Sequence, residues 1–291
     1  MRLALLLAFV IGCGSSRPVT KPVADDDPDT EGDPFGRADG FKPVAFGVKV
    51  HGEGRPVILI PGLGCPGEVW DGTVEHLGDG YETHVLTLSG FAGRRAIKEP
   101  LSAAVRRDLT RYIRSRKLKN PIIVGHSMGG FIAYWIASYH PDLTGPIIIV
   151  DAGPALSGDM EEAKQLRSKW KQVSEEEFAN LTRISYASMT KYPKKMESVI
   201  AKVAQSDQRA FADAIYELVT TDLTDHVNEI TAPVLIVAAD GGFKQRIKSQ
   251  IETIPNHEMV VIPGSKHFLM NDEPDAYYAA IDKFLEDNPA E

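Results

Sequence analysis

The chain is short of positive charge: 32 Lys and Arg stand against 40 Asp and Glu in 291 residues, a formal net charge of −8 at pH 7. A nucleic-acid surface needs clustered cations to neutralise phosphates. The basic pairs Arg94-Arg95, Arg106-Arg107 and Lys194-Lys195 have acidic neighbours that dilute them, so they read as solvated faces and no nucleic-acid partner is expected. Internal repeats are absent. The apolar run from Leu3 to Ile11, behind the single charge of Arg2, is too short for a permanent bilayer-spanning helix and reads as a removable export signal. From 14 to about 40 large apolar side chains are nearly missing and Pro, Gly, Ser and Asp dominate. Such a stretch cannot bury enough surface to order itself, so it reads as an acidic tether.

Cysteine is scarce as well, with two in the chain, Cys13 and Cys65. Val10-Ile11-Gly12-Cys13 resembles a bacterial lipobox. The resemblance implies a signal over residues 1–13, lipidation of Cys13, and a protein held at a membrane of the cell envelope. An ordinary signal peptide would instead release it as a secreted or periplasmic protein. An acylated Cys13 cannot pair, so no disulfide is expected. Cys65 has no paired base signal beside it and reads as a small buried residue.

From Phe41 onward short apolar runs alternate with helix-like segments. Seven runs read as strands: "VAFGVKVHG", "RPVILIPG", "THVLTLSG", "NPIIVGHS", "GPIIIVDAG", "APVLIVAAD" and "HEMVVIPG". Runs apolar on both faces suit an α/β fold, a parallel sheet covered by helices on each side. Leu101, Val105, Leu109, Tyr112 and Ile113 fall on one helical face, with Arg106, Arg107, Asp108 and Arg114 elsewhere. About eighty residues separate the runs ending at Val150 and starting at Val234, far more than a crossover needs. Apolar positions there (Leu166, Trp170, Val173, Phe178, Leu181, Ile184, then Val199, Val203, Phe211, Ile215, Leu218) predict inserted helices over the strand ends. The expected division is a core of 41–152 and 230–288 with a helical cap at 153–229.

"VGHSMGG" puts Ser127 between glycines, after a strand and before a helix. Gly125-His126-Ser127-Met128-Gly129 matches G-x-S-x-G, in which a strained strand-to-helix turn lifts a serine hydroxyl to the sheet edge as a nucleophile. The Met128 amide, at the helix N-terminus, would face a developing oxyanion. The loop "LIPGLGCPGEVWD" would supply a second donor, the amide of Leu63. His267, in the loop after "VVIPGSK", is the candidate base; His126 would pack beneath the turn. Two strand-end carboxylates can orient His267. Asp151 is favoured because the loop after Asp240, "GGFKQR", is short; Asp240 stays open as the alternative.

These segments together, with "PGLGCPGEVW", "VGHSMGG", "IIIVDAGP", "PVLIVAAD" and "VVIPGSKHFLMNDEP", resemble the α/β-hydrolase superfamily over roughly residues 42 to 287. The resemblance implies an eight-stranded, mostly parallel sheet with a helical cap, and neither cofactor nor metal. A serine at the elbow, where haloalkane dehalogenases and epoxide hydrolases carry aspartate, implies cleavage of a small-molecule ester or related acyl compound through an acyl-enzyme. Carbon–carbon bond hydrolysis on the same constellation, or a lipid-anchored binding protein on this fold, are the alternatives. Oligomeric state is left open.

Overall fold

The computed structural model describes residues 41–156 and 158–290. The expected signal, the Cys13 lipidation site and the tether over 14–40 lie outside the described residues. Seven strands form one sheet: β1 (Phe46–His51), β2 (Gly54–Ile60), β3 (Gly80–Leu88), β4 (Ile122–His126), β5 (Ile147–Val150), β6 (Val234–Ala239) and β7 (His257–Ile262), in the order β1-β3-β2-β4-β5-β6-β7. All neighbours are parallel except β1 and β3. The eight strands implied by resemblance are therefore seven among the described residues, the same seven runs that stand out by their apolar patterning. β1 and β2 follow each other through Gly52-Glu53-Gly54, yet β3 lies between them, with Val48 opposite Leu86 and Ile58 opposite His84. A short connection has not made a hairpin, because β1 is an edge strand whose later residues are exposed while β2 ends fully buried.

The order places a switch point between β2 and β4, where crossovers leave in opposite directions and a crevice opens at the carboxyl ends. Register aligns those ends: Ile60 faces Gly125, His126 faces Val150, and Val150 faces Val237. The loops after β2, β4, β5 and β6 thus emerge side by side.

Helices cover the sheet: α1 (Asp71–Leu77), α2 (Leu101–Arg116), α3 (Met128–Tyr139), then α4 (Met160–Gln172), α5 (Glu175–Ser188), α6 (Glu197–Val203) and α7 (Gln208–Thr220) between β5 and β6, and finally α8 (Phe243–Gln250), α9 (Leu269–Asp272) and α10 (Pro274–Asp287). α3 is apolar all round, and every residue from Met128 to Ser138 is buried, as such a pattern requires. Among the described residues no helix is long and apolar enough to cross a membrane.

The inserted helices start where the sequence supplies caps. Asp159 accepts the Glu161 and Glu162 amides at 2.8 and 2.9 Å, Ser174 accepts Glu177 N at 3.1 Å, and Asp207 accepts Arg209 N and Ala210 N. Each occupies amide donors that a helix leaves unpaired at its start. Their common core is aromatic: Trp170 lies 5.6 Å from Phe178 and 5.5 Å from Phe211, centroid to centroid. Ile184, expected on the apolar face, is 62% exposed, since α5 buries Phe178, Leu181, Thr182, Ser185 and Tyr186 instead.

One pair of basic residues is not a solvated face. Arg106 is buried, its guanidinium over the rings of Trp135 and Tyr139 at 5.4 and 5.3 Å. The neighbouring Asp108 is buried too, accepting the Val44 and Ala45 amides at 2.8 and 2.9 Å and so tying the entry to β1 onto α2. α2 packs against both α3 and the inserted α7, and while Arg111, Arg114 and Arg116 stay exposed, Arg106 is covered by the α3 rings and Asp108 by the entry to β1.

Candidate active site

Ser127 sits at the tip of the turn between β4 and α3, with φ 53° and ψ −117°. Positive φ is rare for a residue with a Cβ and marks local strain that the surroundings must hold. They do so by close approach. A Cβ on Gly125 would lie 2.2 Å from the Gly129 carbonyl oxygen, and one on Gly129 would lie 2.1 Å from the Ile60 carbonyl oxygen. Only glycine permits strand and helix to close this tightly. Ser127 N donates to Val150 O at 3.0 Å, which fixes the turn to the next strand.

Asp151, directly after β5, also has positive φ, 48°. Its amide donates to Val237 O at 2.8 Å. Its buried carboxylate accepts Ala239 N on Oδ1 at 2.9 Å and His267 Nδ1 on Oδ2 at 2.6 Å. With Nδ1 turned to the carboxylate, Nε2 is the ring nitrogen left for another partner. Of the two candidate acids, the structure brings Asp151 to His267. Asp240 is exposed just past the end of β6, paired with Lys244 and accepting Gly264 N at 3.2 Å. The Lys244 ammonium holds its carboxyl below the usual aspartate range.

The loop after β2 passes immediately over the turn. A Cβ on Gly62 would be 3.3 Å from Ser127 Cβ and 3.0 Å from His126 Nδ1. Leu63 and Met128 line the same cavity as Ser127 and His267. The Leu63 carbonyl is held by the Tyr186 hydroxyl of α5, which donates to it. That contact spans 123 residues and leaves no signature in local sequence.

His126 is buried beneath the turn, and its Nε2 donates to the His267 carbonyl at 2.9 Å. Burial, with His267 beside it, holds its pKa well below the ordinary histidine value, so the ring is neutral. Cys65 is buried and free, and burial pushes its thiol pKa far up. A thiol held protonated is a poor nucleophile.

A strut absent from the sequence reading secures the His267 loop. The buried carboxylate of Asp272 accepts Lys266 N on Oδ2 at 2.9 Å, and Thr190 Oγ1 and Lys191 N on Oδ1 at 2.6 and 2.8 Å. Phe268 N also donates to Met189 O, at 3.3 Å. The loop is therefore fastened to the inserted helices on both sides of His267.

These groups meet in a cavity of about 800 Å³, counted with the solvent at its mouth. Gly62, Leu63 and Ser127 stand at one side, Asp151 and His267 at another, and Phe131, Leu156, Met189, Ile215, Leu218 and Phe243 form the apolar remainder.

A family model described as the alpha/beta hydrolase family matches residues 57–280. Among curated proteins, the chain is 25% identical over 242 residues to a pimeloyl-[acyl-carrier protein] methyl ester esterase of Vibrio vulnificus (strain YJ016), covering 79% of this chain and 93% of that one. Among solved structures it resembles an esterase from Exiguobacterium antarcticum, with TM-score 0.74, 18% identity, and 83% and 95% of the two chains covered. It also resembles the enol-lactonase from Burkholderia xenovorans LB400, with TM-score 0.73, 17% identity and coverage of 83% and 96%. At these identities the structural likenesses speak for the fold.

Proposed function

The chain belongs to the alpha/beta hydrolase family, and from that premise we propose that it is a serine hydrolase that cleaves an ester or related acyl substrate through an acyl-enzyme on Ser127. The observation that carries this reading is the cavity wall shared by Ser127 and His267, with His267 Nδ1 bound to the buried Asp151 at 2.6 Å. The esterase named among the relatives supports the same chemistry.

Ser127 Oγ attacks the ester carbonyl carbon while His267 Nε2 takes its proton. Asp151 keeps the imidazole in the required tautomer and stabilises the imidazolium. The tetrahedral oxyanion is met by the amides of Leu63 and Met128; in enzymes of this type one such donor is worth about 10²–10³-fold in kcat. The imidazolium then gives its proton to the departing alkoxide, and the C–O bond breaks. Water attacks the acyl group by the reverse roles, releasing the carboxylic acid and restoring Ser127.

A fluorophosphonate probe tests the assignment. Wild type is expected to be labelled on Ser127 and Ser127→Ala to be unlabelled and inactive. An unlabelled wild-type protein without ester turnover would instead favour a binding role on this fold.

The location is a separate proposal, resting on the lipobox-like sequence ending at Cys13. The mature protein is held to a membrane of the cell envelope by acylated Cys13, with the hydrolase domain at the end of the 14–40 tether.

A further inference from the structure

The cavity's polar groups are almost all spent. The Tyr186 hydroxyl donates to Leu63 O, His126 Nε2 donates to His267 O, and both Asp151 oxygens are occupied, by Ala239 N and His267 Nδ1. The thiol of Cys65 is a weak donor. Among the described side chains that line the cavity, what remains for a ligand is the reacting pair, Ser127 Oγ and His267 Nε2, and the unpartnered His126 Nδ1, a lone pair that can only accept while Nε2 donates. No lysine or arginine among the described residues lines the cavity, whereas the carboxylate of Asp151 does. Away from the reacting centre the wall is Phe131, Leu156, Met189, Ile215, Leu218 and Phe243.

We infer that the acyl pocket takes an uncharged apolar acyl group and rejects acyl chains that end in a carboxylate. The inference rests on the ester-hydrolase reading and adds the substrate class to it. A carboxylate entering this wall would lose its hydration and find no cationic side chain and no side-chain donor among Phe131, Leu156, Met189, Ile215, Leu218 and Phe243, a desolvation that these apolar side chains do not offset. The buried negative charge of Asp151 opposes it further. An alkyl chain of the same length has no such loss, and each methylene moved from water onto the wall is favourable. Two described cations lie close behind the wall, Lys266, whose ammonium donates to the Ser188 and Thr190 carbonyls on either side of Met189 at 3.1 and 3.3 Å, and Arg246. Its guanidinium donates to the Leu156 carbonyl and lies over the Phe243 ring at 5.7 Å, so it is engaged outside the lining.

The test compares three 4-nitrophenyl esters with the same acyl length: the hexanoate, the adipate monoester with its free carboxylate, and the methyl adipate with that carboxylate capped. The hexanoate should exceed the adipate monoester in kcat/KM by at least about a hundredfold, and capping should restore most of the difference, because an unpaired buried charge is far costlier than a neutral ester group. A cation placed in the wall, Leu156→Arg or independently Leu218→Lys, should narrow the gap at least about tenfold, as a charge partner does for a buried ion. Near-equal turnover of hexanoate and adipate monoester overturns the inference, as does efficient adipate turnover that Arg246→Gln abolishes. Two folded wall variants that leave the ratio unchanged also overturn it. Fluorophosphonate labelling on the same preparation separates this failure from that of the parent reading. Labelled Ser127 with no preference, or with no hexanoate turnover, removes the substrate class alone. No labelling and no turnover of any ester removes both.

Discussion

Two carboxylates end adjacent parallel strands, and their surroundings give them different tasks. Asp151 is buried with one oxygen on a backbone amide and the other on His267, whereas Asp240 is exposed and paired with Lys244. Amidating the orienting acid of a Ser-His-Asp triad costs about 10⁴-fold in turnover, because the imidazole then adopts the wrong tautomer. Asp151→Asn is therefore expected to lose activity by that order in an ester assay, and Asp240→Asn to stay near wild type; the opposite pattern would transfer the role to Asp240. Tyr186→Phe removes the hydrogen bond that steadies Leu63 O. At about 1 kcal/mol for such a bond, kcat should fall roughly fivefold with little change in KM. At this scale the sequence was most legible where backbone geometry demands a residue type. Gly125, Ser127 and Gly129 occupy a turn that few other sequences could make. Tyr186 and Asp272 were not legible, because the Tyr186 partner lies 123 residues away at Leu63 and the Asp272 partners Thr190 and Lys191 lie 82 and 81 away, and a hydroxyl or carboxyl on a helix carries no local mark of a distant contact.

The helices inserted between β5 and β6 do more than roof the cavity. Glu217 of α7 accepts Ser102 N at 2.8 Å and Ala103 N at 3.2 Å, serving as the cap that Pro100 cannot provide for α2. The carboxylate thereby locks an inserted helix to a core helix. Burial raises its pKa above the ordinary glutamate value. A raised folded-state pKa means that the linked stabilisation is complete below the unfolded pKa and declines as pH rises through the folded one. Glu217→Gln, which keeps an acceptor without the charge, should gain in thermal stability relative to wild type as pH rises from about 4 to 7. Glu217→Ala, which uncaps α2, should be less stable than wild type by about 1–2 kcal/mol at neutral pH in denaturant melts. The presence of inserted helices was readable from apolar positions that include Trp170, Phe178 and Phe211, whereas their starts at Asp159, Ser174 and Asp207 and the meeting of the three rings come from the structure. The exposure of Ile184 was not readable, since the stripe that α5 buries runs through its own Phe178, Leu181, Thr182, Ser185 and Tyr186 and leaves Ile184 outside.

For the whole molecule, parallel sheet order and register make the site: four loop-bearing strand ends come together because β2, β4, β5 and β6 are neighbours. Apolar runs located all seven strands. Their order, with β3 between β1 and β2, follows from burial on both faces and from crossover geometry, neither of which a single run encodes. The buried Arg106 and Asp108 were hidden for the same reason, because the Trp135 and Tyr139 rings that cover Arg106 and the Val44 and Ala45 amides that bind Asp108 are distant in the chain. If Cys13 is the anchor, Cys13→Ser should move the protein from the membrane fraction to the soluble one without altering ester turnover; wild type already in the soluble fraction would contradict the anchor. The central claim is covalent catalysis by Ser127, and intact-protein mass measurement after rapid acid quench of a 4-nitrophenyl ester reaction tests it most directly. The account predicts a wild-type species heavier by the acyl group, mapped to the Ser127 peptide and absent from Ser127→Ala. Ester turnover that persists in Ser127→Ala, or wild-type turnover without any adduct on Ser127 under quench conditions that preserve acyl esters, would contradict it.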